Sequence, residues 1–139
     1  MSVKQGTLLA ETSVSADFSE LRGVRQMVGC LAHQAHLCEQ QTNDLKLAVS
    51  EACANAIEHP KNKDRVKLAA WLEPDRLMIE IRGSGEFRMR PLESTSRRGF
   101  GLPLMANLVD EVRFTRIAGG GTSVQLSMLL PALAGCKNG

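Results

Sequence analysis

Three polar residues, Glu51, Asn55 and His59, follow one another at four-residue spacing near the middle of the chain. On a helix this spacing puts them on one stripe, because each step of four residues turns by only about 40°. A carboxylate and an amide on such a stripe can hold a magnesium ion and a water, since magnesium takes oxygen ligands and keeps several waters. The competing interpretation is the solvated side of an amphipathic helix. Small side chains interleave with the stripe and favour a ligand that approaches closely: Ala48, Ala52, Ala54 and Ala56.

Glycines form a second pattern, in three clusters: Gly83 with Gly85, Gly99 with Gly101, and Gly119–Gly121. Glycine permits positive φ and lets a ligand come close to the backbone. The middle cluster precedes a predicted helix, whose first N–H groups lack intrahelical partners and can bind phosphates. The last cluster has an equally good explanation as a hairpin turn. Together with the Glu-Asn stripe, the three clusters point to a phosphate-bearing ligand.

Arginines form a third cluster, which can bind an anion or can simply be part of a solvated loop: Arg88, Arg90, Arg97 and Arg98.

Hydrophobic spacing predicts the elements that position these residues. We expect a strand at residues 6–14, helices at 19–36 and 42–60, and a hairpin formed by 66–72 and 77–81. A long loop over the site should follow at 83–101, then a short helix at 102–108 and a second hairpin formed by 112–117 and 122–128. Asp17 or Ser19 is the expected cap of the first helix. Such a chain buries a helical layer against one face of a mixed β-sheet, so the predicted fold is α/β (α+β), a two-layer sandwich.

The two long helices have predicted apolar stripes: Leu21, Val24, Val28, Leu31 and Ala35 in the first, and Leu45, Val49, Ala52 and Ala56 in the second.

Length and composition favour one soluble domain. The chain has 139 residues with 43% hydrophobic and 23% charged side chains. We therefore predict a single domain over residues 1–139, with an ordered core over about residues 6–131. A net charge of +2 and 4% aromatic residues argue against direct nucleic-acid binding. We expect no membrane span, four reduced cysteines and a cytoplasmic location.

Three segments resemble motifs of the anti-sigma-factor serine-protein kinases, within the GHKL ATPase superfamily. Residues 51–59, Glu-Ala-Cys-Ala-Asn-Ala-Ile-Glu-His, resemble the N-box of that family. Residues 97–102, Arg-Arg-Gly-Phe-Gly-Leu, resemble its glycine lid, and residues 120–124 its last glycine box. The segment at 108–112 also fits. The resemblance spans about Leu8 to Leu129 and keeps the order and spacing of the motifs.

The resemblance implies a Bergerat-type ATP-binding fold with ATP and Mg²⁺ as cofactors. It implies that Glu51 is the general base, Asn55 the magnesium ligand and Arg97 a catalytic cation at the terminal phosphate. Phosphates would lie at Gly99, Gly101 and Leu102, and adenine near Thr122. The other nucleotide-binding residues it suggests are His59, Gly83, Gly85, Arg98 and Phe100.

One position departs from the family pattern. The family has Asp-x-Gly-x-Gly after this strand, and its aspartate pairs with the adenine amino group, whereas this chain has Gly83-Ser84-Gly85-Glu86-Phe87. Gly83 therefore stands where the aspartate is expected. Loss of such a partner costs on the order of 1–3 kcal/mol of binding.

The resemblance predicts a regulatory kinase that binds a sigma factor and phosphorylates a serine of an anti-anti-sigma (STAS-type) partner, and that works as a homodimer. The alternative is a degenerate module that sequesters a regulatory partner without catalysis, which the missing aspartate favours. A severed histidine-kinase ATP domain fits less well, because the chain has no dimerisation hairpin with a phospho-acceptor histidine.

Overall fold

The computed structural model describes residues 6–58, 65–84, 101–118 and 120–134. Its strands are β1 (Thr7–Ser15), β2 (Arg65–Leu72), β3 (Arg76–Gly83), β4 (Glu111–Arg116) and β5 (Thr122–Leu129). Its α-helices are α1 (Leu21–Gln34), α2 (Glu39–Glu58), α3 (Gly101–Leu108) and α4 (Pro131–Ala134), and a 3₁₀ turn, Phe18–Glu20, precedes α1. The predicted order of strands and helices is confirmed. Only α4 was not predicted, because the tail after Pro131 offers too few residues for a periodic pattern.

The five strands form one sheet in the order β1-β2-β3-β5-β4. Every neighbouring pair is antiparallel, so the predicted mixed sheet is wrong in this respect. Two helices separate β1 from β2, and an even number of helical passes returns the chain in the opposite direction. The single helix α3 joins β3 to β4, which run the same way. These two strands are not neighbours, because β5 lies between them.

The helices cover one face of this sheet and create the core. The predicted apolar stripes are confirmed: Val24, Val28 and Leu31 of α1 are at most 3% exposed, and Leu45, Val49 and Ala52 of α2 are fully buried. They pack in one cluster with alternate residues of the central strands, Val66, Leu68, Leu77, Ile79, Ile81, Val124 and Leu126. The two-layer α/β sandwich expected from the sequence is therefore present.

Polar side chains fix the turn before α1 and tie the start of α2 to the sheet. Asp17 caps the 3₁₀ turn before α1, where its Oδ1 accepts the Ser19 backbone N–H at 2.9 Å, and this hydrogen bond lowers the pKa of the Asp17 carboxyl. At the start of α2 the buried Gln41 accepts the Cys38 N–H at 3.1 Å and donates to the Leu129 carbonyl at 2.8 Å. Both ends of the Gln41 amide are thus satisfied, as a buried polar group requires, and α2 is tied to the end of β5.

The sheet has a second face, which points away from α1 and α2 and which we call the open face. On β2 the side chains alternate, so that Val66 and Leu68 enter the core while Arg65 and Lys67 are exposed. None of the helices in the described ranges is long and apolar enough to cross a membrane.

The cysteines differ from one another. Cys30 and Cys53 are free, one exposed and the other buried, but Cys38 is disulfide-bonded. The expectation of reduced thiols is therefore wrong for Cys38, since the spacing of cysteines along the sequence does not show which of them the fold brings together.

Candidate functional site

The polar stripe of α2 lies at the border between core and solvent. Glu51 and Asn55 are one helical turn apart and both are half-buried. The residues beside them, Ala52 and Cys53, are fully buried. Packing on that side holds the helix backbone in place, and the carboxylate and the amide remain within reach of a ligand. The spacing and the accessibility that a metal and nucleotide site needs are both present here.

Cys53 lies between these two polar residues but cannot share their chemistry. Burial raises the pKa of its thiol to about 12. The thiolate is the nucleophilic form, so the thiol stays protonated and inert near neutral pH. Cys53 serves as a small core residue.

Helix α3 begins at Gly101 and packs against α2. Its Met105 is fully buried and belongs to the same core cluster as Ala52 and Ala56. The first N–H groups of a helix have no intrahelical partner and attract anions. The start of α3, with Gly101 and Leu102, is thus the helical N-terminus that the glycine pattern predicted.

The third part of the site is where β3 ends and β5 begins. Gly83 pairs with Thr122 across these strands, and Thr122 is only 8% exposed. The turn before Thr122 contains two residues with positive φ, Gly120 at 118° and Gly121 at 100°. A Cβ on Gly121 would lie 2.5 Å from the Gly83 carbonyl oxygen. The glycine turn therefore packs closely against the end of β3.

The structure thus brings together two of the predicted residues, Gly83 and Thr122, with the turn at Gly121. Glu51 and Asn55 share α2, which packs on α3 and on β3 and β5. The remaining predicted residues lie outside the described ones: His59, Gly85, Arg97, Arg98, Gly99 and Phe100.

Gly121 was not singled out by the sequence as a site residue. The sequence did contain a signal for Gly121, because this residue directly precedes Thr122 in the segment that resembles a glycine box. A glycine in a turn has the same sequence pattern whether the turn projects into solvent or touches another strand, so only the fold shows the contact.

Several known proteins are similar to this chain in sequence or in fold. The histidine kinase-like ATPase domain matches residues 14–128. The serine-protein kinase RsbW of Bacillus subtilis (strain 168) is 29% identical over 113 residues, which cover 69% of this chain and 71% of that protein. The anti-sigma F factor of Thermoanaerobacter sp. (strain X514) is 30% identical over 115 residues, or 74% of this chain and 80% of that protein.

Among solved structures, the RsbU and RsbW domains of Rv1364c from Mycobacterium tuberculosis share the fold, with a TM-score of 0.68 and 23% sequence identity. The similarity covers 87% of this chain and 33% of that one. The family match covers most of the chain and includes both the N-box stripe and the glycine turn. This chain therefore belongs to the histidine kinase-like ATPase domain family, together with the RsbW kinases and anti-sigma F factors.

Proposed function

We propose that this chain is an ATP-dependent serine-protein kinase that acts as an anti-sigma regulatory factor. It would bind a sigma factor and phosphorylate a serine of an anti-anti-sigma, STAS-type partner. The observation that carries the proposal is the placement of Glu51 and Asn55, half-buried and one turn apart on the helix that packs against α3. The names of the relatives, serine-protein kinase and anti-sigma F factor, support it.

Each residue has a definite task in this proposal. The Glu51 carboxylate accepts the proton of the substrate serine hydroxyl, which makes the oxygen a better nucleophile. The Asn55 amide oxygen is one ligand of Mg²⁺, an ion that usually takes one or two protein oxygens beside phosphates and waters. The N–H groups at Gly101 and Leu102 hold phosphate oxygens, and Arg97 balances their charge. Bound Mg-ATP would supply the γ-phosphoryl group to the serine oxygen, and ADP would be the leaving group.

A transfer assay tests the proposal directly. Purified protein is incubated with γ-labelled Mg-ATP and with the STAS-type partner, and the label on the partner serine is followed. We expect transfer to the parent serine and none to a serine-to-alanine variant of the partner. Absence of transfer at saturating nucleotide would reject the kinase.

Replacement of Asn55 with alanine should weaken nucleotide binding only when Mg²⁺ is present. Loss of one oxygen ligand in a shared metal site is expected to cost about tenfold in affinity. Titration calorimetry with ATP, with and without Mg²⁺, measures the difference. The matched control is Asn43→Ala, an exposed position near the start of the same helix. Equal affinities of parent and Asn55→Ala in magnesium would rule out the metal role.

Replacement of Gly83 with aspartate should tighten the binding of ATP relative to GTP. A carboxylate at the end of β3 accepts the adenine amino group, whereas guanine presents a carbonyl oxygen there and is repelled. One charge-assisted hydrogen bond of this kind corresponds to about 10- to 100-fold in affinity. Gly83→Asn is the control, because an amide can pair with either base and should not discriminate.

The second candidate function is a binding module that sequesters a regulatory partner without catalysis. The observation in its favour is Gly83 itself, which provides no side chain for the base. Calorimetry separates the two functions, since micromolar Mg-ATP binding favours the kinase and no heat favours the module. If Gly83→Asp also fails to bind ATP more tightly than the parent, the module replaces the kinase.

We further propose that the chain forms one cytoplasmic domain and works as a homodimer. Sedimentation equilibrium should give a molecular mass twice that of the chain, and a monomer at micromolar concentration would contradict the dimer.

A further inference from the structure

Three cations gather at one end of the open face. Lys67 of β2 and Arg82 of β3 are direct cross-strand partners, and Arg65 lies two residues before Lys67 on the same face. All three residues are exposed. Like charges placed directly opposite each other on neighbouring strands destabilise a sheet. The fold therefore holds an unfavourable pair here, which a negative charge between the two side chains would relieve.

The neighbouring groups do not supply that charge in full. Glu80 Oε2 lies 3.8 Å from Arg82 Nε, but the same oxygen accepts the Ser123 hydroxyl at 2.6 Å. Arg65 donates to two neutral acceptors, the hydroxyl and the carbonyl oxygen of Ser13, both at 2.9 Å. Within the described part of the chain, Lys67 makes no hydrogen bond or ion pair. The cluster thus keeps an excess of positive charge.

These cations line a cavity of about 390 Å³, a volume within the usual range for small-molecule sites. The rest of the described lining is uncharged and comes from the end of β3 and the turn before β5: Gly83, Ser84, Ile117 and Gly120. Glu11 lines a neighbouring depression with Lys67 and Arg82, but it does not line this cavity. The described walls therefore present three positive charges and no carboxylate.

We propose that this cavity binds a small phosphate-type oxyanion carrying at least two negative charges. Two guanidinium groups offer paired N–H donors that match phosphate oxygens, and the ammonium group adds a point charge. Arg65 is already oriented by its two hydrogen bonds to Ser13, so less side-chain freedom is lost on binding. An anion there relieves the repulsion between Lys67 and Arg82.

The cations of this anion site lie apart from the proposed nucleotide site, although Gly83 and the turn at Gly120 border both, and the anion site does not depend on the kinase function. The exposed faces of Lys67 and Arg82 lie on the open face, whereas α2 and α3 pack on the other side of the sheet. The sequence did not single out these residues, because only the register of the β2–β3 hairpin places two distant cations opposite each other.

Titration of the full chain with pyrophosphate, without magnesium and at constant ionic strength, tests the site. We expect one-to-one binding, and about tenfold weaker binding for Lys67→Gln and for Arg82→Gln, since each loses one charge-assisted contact. Arg113→Gln is the matched control on the same face, where Arg113 pairs with Glu111 at 3.1 Å, and it should bind as the parent does. Unchanged affinity in both test variants would overturn the site.

Two further measurements fix the location and the ligand class. Amide chemical shifts should move at Lys67, Arg82 and Gly120, and a response centred on Gly101 and Leu102 would instead assign pyrophosphate to the nucleotide site and overturn the proposal. Malonate, a dicarboxylate, should bind about tenfold more weakly than pyrophosphate. Each carboxylate offers two oxygens in one plane, whereas each tetrahedral phosphorus of pyrophosphate carries three terminal oxygens that two guanidinium groups can share. Equal binding of malonate would overturn the phosphate class.

Thermal unfolding separates loss of the site from loss of the fold. Lys67→Gln removes a like-charge pair, so without pyrophosphate it should unfold at or above the temperature of the parent. Pyrophosphate should raise the Tm of the parent but leave that of Lys67→Gln almost unchanged. A lower Tm for the unliganded variant would show that Lys67 is not repelled, and would overturn the argument.

Discussion

Glu51→Gln should reduce phosphoryl transfer by about 10²- to 10⁴-fold, the usual contribution of a general base, while nucleotide affinity stays near that of the parent. Glutamine keeps the length and shape of the side chain but no longer accepts a proton. The surrounding packing should be unaffected, because the neighbours Ala52 and Cys53 are fully buried members of the core cluster and the substitution keeps the volume of the side chain. Single-turnover transfer of labelled phosphate and calorimetric titration with Mg-ATP measure the two quantities separately.

The same isosteric change at Glu39 is the matched control for this experiment. Glu39 lies in the first turn of the same helix and is exposed. Its replacement should change only the weak interaction with the helix dipole and should leave transfer intact. If Glu51→Gln loses binding and transfer in equal measure, Glu51 has a structural role and the assignment of the base is wrong.

Gly121→Ala should have the largest effect on stability. The residue has a φ of 100°, and the added Cβ would lie 2.5 Å from the Gly83 carbonyl oxygen and 3.4 Å from the Ser84 Cα. Backbone strain alone costs about 1–3 kcal/mol, and the overlap with a backbone atom must be relieved by moving one of two paired strands. We expect the free energy of unfolding to fall by about 3–5 kcal/mol, as measured by denaturant titration.

Gly120→Ala separates strain from overlap. Gly120 also has a positive φ, 118°, but among the described residues no atom beyond its chain neighbours lies within 4 Å of an added Cβ. Its free energy of unfolding should therefore fall only by the strain, about 1–3 kcal/mol. Equal losses for the two variants would mean that the end of β3 yields at little cost, and that the contact does not hold the turn in place.

The sequence predicts the local elements of this protein well and their arrangement less well. The stripe of Leu45, Val49 and Ala52 is specified by helical spacing alone, and these residues are fully buried. The position of β5 between β3 and β4 leaves no such local trace, because either strand of the β4–β5 hairpin could pair with β3 and satisfy the same alternation. The predicted mixed sheet was wrong for this reason.

The candidate site also has features that local spacing predicts and features that it does not. Glu51 and Asn55 follow from a four-residue period within one helix, so the sequence is sufficient to place them on one stripe. The contact between Gly121 and Gly83 and the opposition of Lys67 and Arg82 depend on strand register. Register pairs residues that are far apart in the sequence, so local sequence patterns do not reveal it.

The buried thiol of Cys53 allows the opening of α2 to be measured by chemical labelling. With its pKa raised to about 12 and its side chain fully buried, Cys53 reacts with an alkylating reagent only when the helix opens, whereas the exposed Cys30 reacts in the native state. In a chain with Cys30, Cys38 and Cys136 replaced by serine, Cys53 is the one cysteine left, and its rate of labelling would measure how often the segment bearing Glu51 and Asn55 leaves its packed position. A ligand held by that helix would lengthen the interval between openings.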